Sequence, residues 1–235
     1  LRFFMYGNFC NSISFLSFAP LMTESEDIKS RIWQKAHELF IQYGIRSVSM
    51  DEIAAVLGMS KKTIYIHFKD KNAIVEEAIN NVIKNSRDCI IYEKEISENA
   101  IEEALKGVDA FDSVLSRINP SLIFDLQKYH PKVYLLFAKY KNEFIYEMVK
   151  ANMERGIDEG IYRKDIDIEV LSKLRVENVW IPFNPEYYTQ FEISISQIQK
   201  EIFLHFLYGI VSENGYSILN NYKNQRLNKL SNENI

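Results

Sequence analysis

Residues 49–71 read SMDEIAAVLGMSKKTIYIHFKDK, and this stretch decides the fold. Ser49 and Glu52 have the spacing of a capping box, which predicts a short helix that ends at the following glycine. Ser60 is a good N-cap for a second short helix over Lys61 to His67. Two short helices separated by a glycine-containing turn, behind a longer first helix, form a helix-turn-helix.

Helical periodicity continues on both sides of this motif. Thr23 and Glu26 form another capping box, and apolar residues then recur at steps of three and four as far as Gly44. A fourth helix is expected to begin at Asp70, and apolar helical stripes continue through the remaining chain. The pattern therefore predicts an all-α protein. Further helix boundaries are expected at Pro120, Pro131, Gly156, Pro182 and Gly215.

Composition limits the class of protein. The 235 residues are 47% hydrophobic and 26% charged with a net charge of −4, as in ordinary globular proteins. Eight glycines and five prolines disfavour a turn-rich β architecture. Cys10 and Cys89 have neither CxxC spacing nor the density of a disulfide framework, so a stapled secreted fold is not expected and a reducing cytoplasm fits best.

Four segments are predicted along the chain. The first, 1–22, is rich in Phe and Leu, but polar residues interrupt it and no cleavage site follows, so we interpret it as a disordered extension rather than a signal peptide or membrane span. Residues 23–72 are the predicted helix-turn-helix DNA-binding domain. Residues 73–222 are the predicted helical ligand-binding and dimerisation domain, and 223–235 a flexible tail.

Positive charge is concentrated on the helix-turn-helix. Residues 44–71 carry five Lys or Arg against three Asp or Glu, a net charge of +2, whereas residues 73–235 carry −6. The second helix of such a motif enters the major groove. There Lys61 and Lys62 can contact phosphate or guanine, and Thr63 a base edge or a thymine methyl group.

Nine residues are predicted to contact DNA. For His67 a DNA contact is favoured, and core packing is the alternative. The full set is Ser49, Ser60, Lys61, Lys62, Thr63, Tyr65, His67, Lys69 and Lys71.

The stretch quoted above closely resembles the DNA-binding signature of the tetracycline-repressor (TetR) family of bacterial transcriptional regulators. The match covers about 50 residues, Ile28–Ala78, and lies in an Ala-x-x-Leu-Gly core and a Thr-Ile-Tyr-x-His-Phe ending. The resemblance implies a homodimer of roughly nine helices per subunit, with Tyr65 on phosphate and Lys71 capping the DNA backbone. Lys62 replaces a frequent Gly and Ile66 a frequent aromatic residue, so no operator sequence is implied.

Aromatic residues of the C-terminal region are candidates for an effector pocket, because ligand sites often lie between helices. The same stripes are what any helical core requires, so core packing is the alternative. The expected ligand is a small apolar or amphipathic molecule that releases a repressor from its operator. The candidate residues are Phe111, Leu115, Phe124, Tyr134, Phe137, Tyr140, Phe144 and Trp180.

A homodimer is expected because the apolar helix at 193–211 has more apolar surface than one side of a lone helix buries. Two-fold symmetry would place the recognition helices on half-sites roughly 34 Å apart, on a pseudo-palindromic double-stranded operator. Gly209 would let a partner backbone approach closely. The predicted interface residues are Leu171, Leu174, Ile202, Phe203, Phe206, Leu207, Gly209 and Ile210.

Two other functions stay open. In the first, the regulator docks a protein partner through its acidic C-terminal domain, with the aromatic loop 181–191 as the contact surface. The second, a helical enzyme, is weaker, because the chain has no G-x-S-x-G, P-loop or G-x-G-x-x-G motif. No catalytic residue, metal site or cofactor is predicted, since no His, Cys or carboxylate set has ligand spacing.

Overall fold

The computed structural model describes residues 24–115, 118–183 and 194–232, except for the side chains at 24, 111–115, 182 and 225–232. These residues form ten helices and no strand, which confirms the all-α prediction. The helices are α1 Glu24–Tyr43, α2 Met50–Leu57, α3 Lys61–His67, α4 Lys71–Ile96, α5 Ala100–Leu115, α6 Leu122–Tyr129, α7 131–158, α8 Ile168–Asn178, α9 Ile195–Ile210 and α10 Glu213–Asn232. Helix α7 contains a π-helical segment, Tyr140–Ile145, and a 3₁₀ turn, Ile181–Phe183, follows α8.

The first hydrophobic core lies between α1, α2, α3 and α4. Ile32, Ile53 and Ile64 are fully buried there. Leu126 of α6 and Val133 of α7 belong to the same cluster. The core of the predicted DNA-binding domain therefore does not end at residue 72, since two helices from the C-terminal region help to close it.

The second core joins α5, α9 and α10 to the segment after α7. Tyr162 lies at its centre, where its hydroxyl donates to the carbonyl of Ala100 and to Oδ1 of Asn152, both at 3.2 Å. Phe203 and Leu207 of α9 are buried in this cluster. The inner face of α9 is therefore covered within the subunit.

The C-terminal end differs from the expectation. Gly215 does not stop α9, which ends at Ile210, but lies in a further helix, α10, that reaches Asn232. A Cβ atom at Gly215 would lie 1.9 Å from the carbonyl oxygen of Ile161, so this glycine allows the close approach of α10 to the chain after α7. Leu219 is buried in the second core, and α10 continues as a helix to Asn232; the flexible tail at 223–235 stays a prediction.

Across the described ranges, no helix combines the length and the apolar character that crossing a membrane requires.

Candidate nucleic-acid interface

Helix α2 is fixed at both ends by local hydrogen bonds. The backbone N–H of Ser49 donates to Glu52 Oε2 at 2.6 Å, and the N–H of Glu52 donates to Ser49 Oγ at 3.2 Å. At the other end Gly58 adopts a left-handed conformation with φ of 64°. This capping box and this turn, both predicted from sequence, set the direction in which the chain enters α3.

Helix α3 begins at Ser60, whose Oγ accepts from the N–H of Thr63 at 3.0 Å. The two hydroxyl groups also lie 2.8 Å apart. Both predicted DNA contacts, Ser60 and Thr63, therefore take part in the N-cap of the helix. Because a hydroxyl both donates and accepts, each keeps hydrogen-bonding capacity for an outside group.

Helix α3 and the residues just after it have one side in solvent, and we call the five exposed residues there the recognition face. The buried side consists of Ile64, with no exposed surface, and Phe68. The recognition face comprises Lys61, Lys62, Tyr65, Ile66 and Lys69.

Ile66 is a member of this face that the sequence prediction missed. Its side chain is 73% exposed, the largest exposure among the exposed large hydrophobic residues of the described chain. Alternation with the buried Ile64 and Phe68 gave no sign of this exposure. An apolar side chain beside Tyr65 can contact the methyl group of thymine.

The basic residues differ in whether their ammonium groups are already bound within the protein. Lys61 donates to Asp51 Oδ2 at 2.9 Å, and this hydrogen bond raises the pKa of Lys61. Lys71 is half-buried, donates to the carbonyl of Ile45 and lies over the Phe40 ring, and burial lowers the pKa of its ammonium group. The position of Lys71 thus serves the turn before α2 as well as any contact with DNA.

His67 and Ser49 lie at the edges of the interface. Ser49 is exposed but occupied by the capping box. His67 is half-buried and lines a groove of about 300 Å³ together with Lys29, Glu76 and Glu77. Its two glutamates balance the charges of Lys29 and Lys69, so the groove has no excess of positive charge for DNA.

A polar joint connects the motif to α6. The N–H of Arg46 donates to Asp125 Oδ2 at 2.8 Å, and Asp125 is buried. The N–H of Asn119 donates to the carbonyl of Ile41 at 2.6 Å. The guanidinium of Arg46 lies 5.5 Å from the centre of the Tyr129 ring. We call Ile41, Arg46, Asn119, Asp125 and Tyr129 the α6 joint. Arg46, which was counted above with the basic residues of the motif, therefore faces the C-terminal region.

Residues 32–78 match the family model of the bacterial regulatory proteins of the tetR family. The helix-turn-helix of the chain is that of a TetR-family transcriptional regulator.

Comparisons with relatives agree with this assignment. The regulator is 25% identical over 186 residues to the uncharacterised HTH-type transcriptional regulator YvaF of Bacillus subtilis, covering 78% of this chain and 95% of that one. Its fold is similar to a TetR-family regulator from Agrobacterium tumefaciens, with a TM-score of 0.68 and 16% identity over 80% of this chain and 100% of that one. A putative regulator from Saccharomonospora viridis in complex with choline gives a TM-score of 0.65 and 21% identity, over 80% and 99%. The family and the fold are those of transcriptional regulators, not enzymes.

The aromatic residues predicted for the effector pocket of the regulator form separate packing groups. Phe137 meets Trp180 edge-on at 4.9 Å, and Tyr140 stacks on Phe144 at 5.6 Å. Phe124 is 44% exposed. Tyr134 packs against the first core, together with Phe137. The side chains of Phe111 and Leu115 lie outside the described residues, and the effector pocket stays a prediction.

A groove of about 500 Å³ runs between α8 and α9, and none of the eight predicted pocket residues lines it. Four of its residues are apolar and three are polar. They are Leu174, Ile181, Ile202, Phe206, Asn178, Glu201 and His205.

The eight residues predicted for the dimer interface fall into two groups. Phe203, Leu207 and Ile210 are buried within the subunit, because they face the second core. Leu171 packs partly against the same cluster. The outer group, which a partner can reach, is Leu174, Ile202 and Gly209, together with the groove-lining side of Phe206, which also packs partly against the second core.

The structure gives little support to the two other functions, a regulator that docks a protein partner and a helical enzyme. Residues 184–191 of the aromatic loop proposed for protein docking lie outside the described residues. Within the described ranges, no three His, Cys, Asp or Glu side chains come together as a possible metal site.

Proposed function

We propose that the chain is a homodimeric repressor that binds a pseudo-palindromic operator through α3 of each subunit and leaves it when a small apolar or amphipathic effector binds. The DNA-binding part is 23–72, and the helices of 73–222 supply the effector site and the dimer interface. The observation that carries this proposal is the recognition face, where three exposed lysines flank Tyr65 and Ile66 on a capped helix.

The recognition face has the two kinds of group that operator binding needs. Lysine side chains provide phosphate contacts, which give affinity without sequence information. Tyr65, Ile66 and the hydroxyl of Thr63 offer short polar and apolar contacts to base edges in the major groove. The N-cap at Ser60 directs the first turn of α3 outward, where recognition helices meet bases.

The outer face of α8 and α9 supports a dimer. Val170 is 59% exposed and Leu174 48%, and both lie on the side of α8 away from the second core. Gly209 is exposed, and no atom lies within 4 Å of the position that a Cβ would take. A second copy that covers this face buries apolar surface and brings two recognition helices into two-fold symmetry.

The α6 joint supports regulation by a ligand. Asn119 and Asp125 hold the turn between α1 and α2 by hydrogen bonds, so a shift of α6 moves the segment that positions α2 and α3. His130, at the end of α6, is linked to Asn72 at the start of α4 by a second contact, with Nδ1 and Oδ1 2.6 Å apart. An effector that prefers a shifted α6 therefore weakens operator binding through differential affinity for two conformations.

Selection of binding sites from a random double-stranded DNA library by the full chain tests the proposal. The expected outcome is an inverted repeat with half-site centres roughly 34 Å apart or somewhat more. Sedimentation at micromolar concentration should show a dimer. A library without enrichment contradicts the DNA-binding function, and a monomer that selects a single half-site contradicts the symmetric assembly.

A further inference from the structure

Arg175 lies on the inner side of α8 and has no partner for its charge among the described residues. Its Nη1 is inaccessible to solvent and makes no hydrogen bond. The neighbours of the guanidinium are two rings of α9, with centres at 4.8 Å for Phe203 and 5.9 Å for Phe206. No carboxylate of the described chain lies within salt-bridge distance of Arg175.

A buried guanidinium in this state is costly. Removing a charge from water is unfavourable unless paired groups replace the lost hydration. The ring contacts offset only part of this cost, since a cation on an aromatic face gains less than the hydration that burial removes. Burial accordingly lowers the pKa of Arg175 to about 10, and the group still carries its charge at neutral pH.

Arg155 shows how the same chain treats another half-buried guanidinium. Arg155 donates to Glu103 at 2.9 Å, to Glu159 at 2.6 Å and to the carbonyl of Ser97 at 2.9 Å. All of its partners come from the chain itself. Among the described residues Arg175 has no such partner, so its charge is available to an anion that binds beside it.

Space for such a partner lies next to Arg175. The groove between α8 and α9 has a volume of about 500 Å³, and its wall includes Phe206, one of the two rings that contact the guanidinium. Leu174 and Asn178, which flank Arg175 on α8, also line it. The apolar walls of Leu174, Ile202 and Phe206 suit a hydrocarbon body rather than a fully polar ligand.

We propose that Arg175 binds the carboxylate of an amphipathic small molecule whose apolar body lies in the groove between α8 and α9. This inference rests on the proposed function and names the chemical class of its effector. A carboxylate matches the planar fork of the guanidinium and neutralises its single charge. A phosphate monoester carries about two charges near neutral pH, so one guanidinium leaves an excess buried charge. A cationic ligand is repelled.

The location also connects the ligand to DNA binding. The groove shares Leu174, Ile202 and Phe206 with the predicted dimer interface. A ligand seated there changes how α8 and α9 meet the partner subunit, and with it the separation of the two recognition helices.

The test uses three ten-carbon probes, decanoate, decanol and decyl phosphate, with the wild-type chain and two variants. Arg175→Met removes the charge and keeps an unbranched apolar side chain, and Lys173→Met makes the same change at an exposed position of the same helix. Thermal unfolding reports binding without DNA, and release of the selected operator reports function.

Decanoate should raise the Tm of the wild type and of Lys173→Met, at concentrations where decanol and decyl phosphate have a smaller effect. In Arg175→Met the preference for decanoate over decanol should fall about 10- to 100-fold, as expected for the loss of charge-assisted hydrogen bonds. Without ligand, Arg175→Met should unfold at the same temperature as the wild type or higher, because an unpaired buried charge is removed.

Two outcomes of the measurements without DNA overturn the inference. In one, Arg175→Met lowers the Tm by more than a few degrees or dissociates the dimer, which shows that Arg175 is paired within the assembly. In the other, decanoate fails to stabilise the wild type. If decanoate releases the operator equally from the wild type and Arg175→Met, the effector-controlled repressor stands and the carboxylate site is wrong. If no DNA is bound at all, the proposed function itself fails.

Discussion

The two ends of the molecule treat positive charge in opposite ways. On the recognition face Lys62 and Lys69 project into solvent, while at the junction of α8 and α9 Arg175 is buried against aromatic rings and pairs with no carboxylate of the described residues. When exposed lysines bind the phosphates of DNA, the counterions of the DNA are released, so the affinity depends on the salt concentration. A buried cation is poorly screened and selects one partner by geometry. The difference indicates a surface for DNA at one end and a site for one small anion at the other.

The largest expected effect comes from Lys62→Ala, which removes an exposed lysine from each subunit. The dimer then loses two phosphate contacts, so operator affinity near physiological salt should fall about 10- to 100-fold and the salt slope by about two units. Fluorescence anisotropy over a salt series measures both. Lys132→Ala, an exposed lysine of α7, is the control. Equal losses in the two variants would remove the distinction between the recognition face and the rest of the surface.

Lys61→Ala should have a weaker effect than Lys62→Ala. Lys61 already pairs with Asp51, so binding DNA exchanges one partner for another. The same salt series on both variants measures the difference. A larger loss for Lys61→Ala would show that its pairing with Asp51 costs nothing on binding.

Asp125→Ala tests the connection between the two ends. The change leaves the N–H of Arg46 without its acceptor, and the free energy of unfolding should fall by about 1–3 kcal/mol. Chemical denaturation measures this loss. Asp125→Asn retains an acceptor oxygen and should lose less. Unchanged stability in the alanine variant would show that the α6 joint does not bind the regions together.

Lys71→Ala should lower the free energy of unfolding by about 0.5–1.5 kcal/mol, because the ammonium group donates to the carbonyl of Ile45. The neighbouring exposed lysine gives the matched control, since Lys69→Ala should weaken DNA binding without a change in stability. If Lys71→Ala alters DNA affinity alone, Lys71 acts only as a phosphate contact.

The smallest effect concerns pH. Burial lowers the pKa of His37 and His130 below the ordinary value of 6.5. The unfolded chain then binds protons more readily, so stability is complete above pH 6.5 and falls as pH drops toward the folded pKa values. Glu93 acts in the opposite direction, since burial raises its pKa. The Tm should fall less between pH 7.5 and 5.5 in His130→Gln than in the wild type, and an identical fall would exclude a contribution from His130.

Sequence alone predicted the features that depend on near neighbours. The capping box of Ser49 and Glu52, the turn at Gly58 and the buried Ile64 follow from residues within a few positions. The predictable part of the interface is therefore the frame of the helix-turn-helix.

Features that depend on distant residues could not be predicted in this way. A glycine such as Gly215 is typical of a helix stop. Its role, however, depends on its approach to the carbonyl of Ile161, which lies too far away in the sequence for a local pattern to predict. The isolation of Arg175 among the described residues depends on which groups of neighbouring helices fail to reach it. Such features require the three-dimensional arrangement of several helices.

The shared first core has a consequence for building hybrid regulators. Leu126 and Val133 complete the hydrophobic centre beneath α1, α2 and α3, although they lie more than fifty positions further along the chain than that motif. A chimera spliced after residue 72 would replace both residues. The grafted DNA-binding domain would then pack against side chains that do not match its core. A chimera that also carries the matching faces of α6 and α7 keeps these core contacts. The practical unit of exchange is therefore discontinuous in sequence.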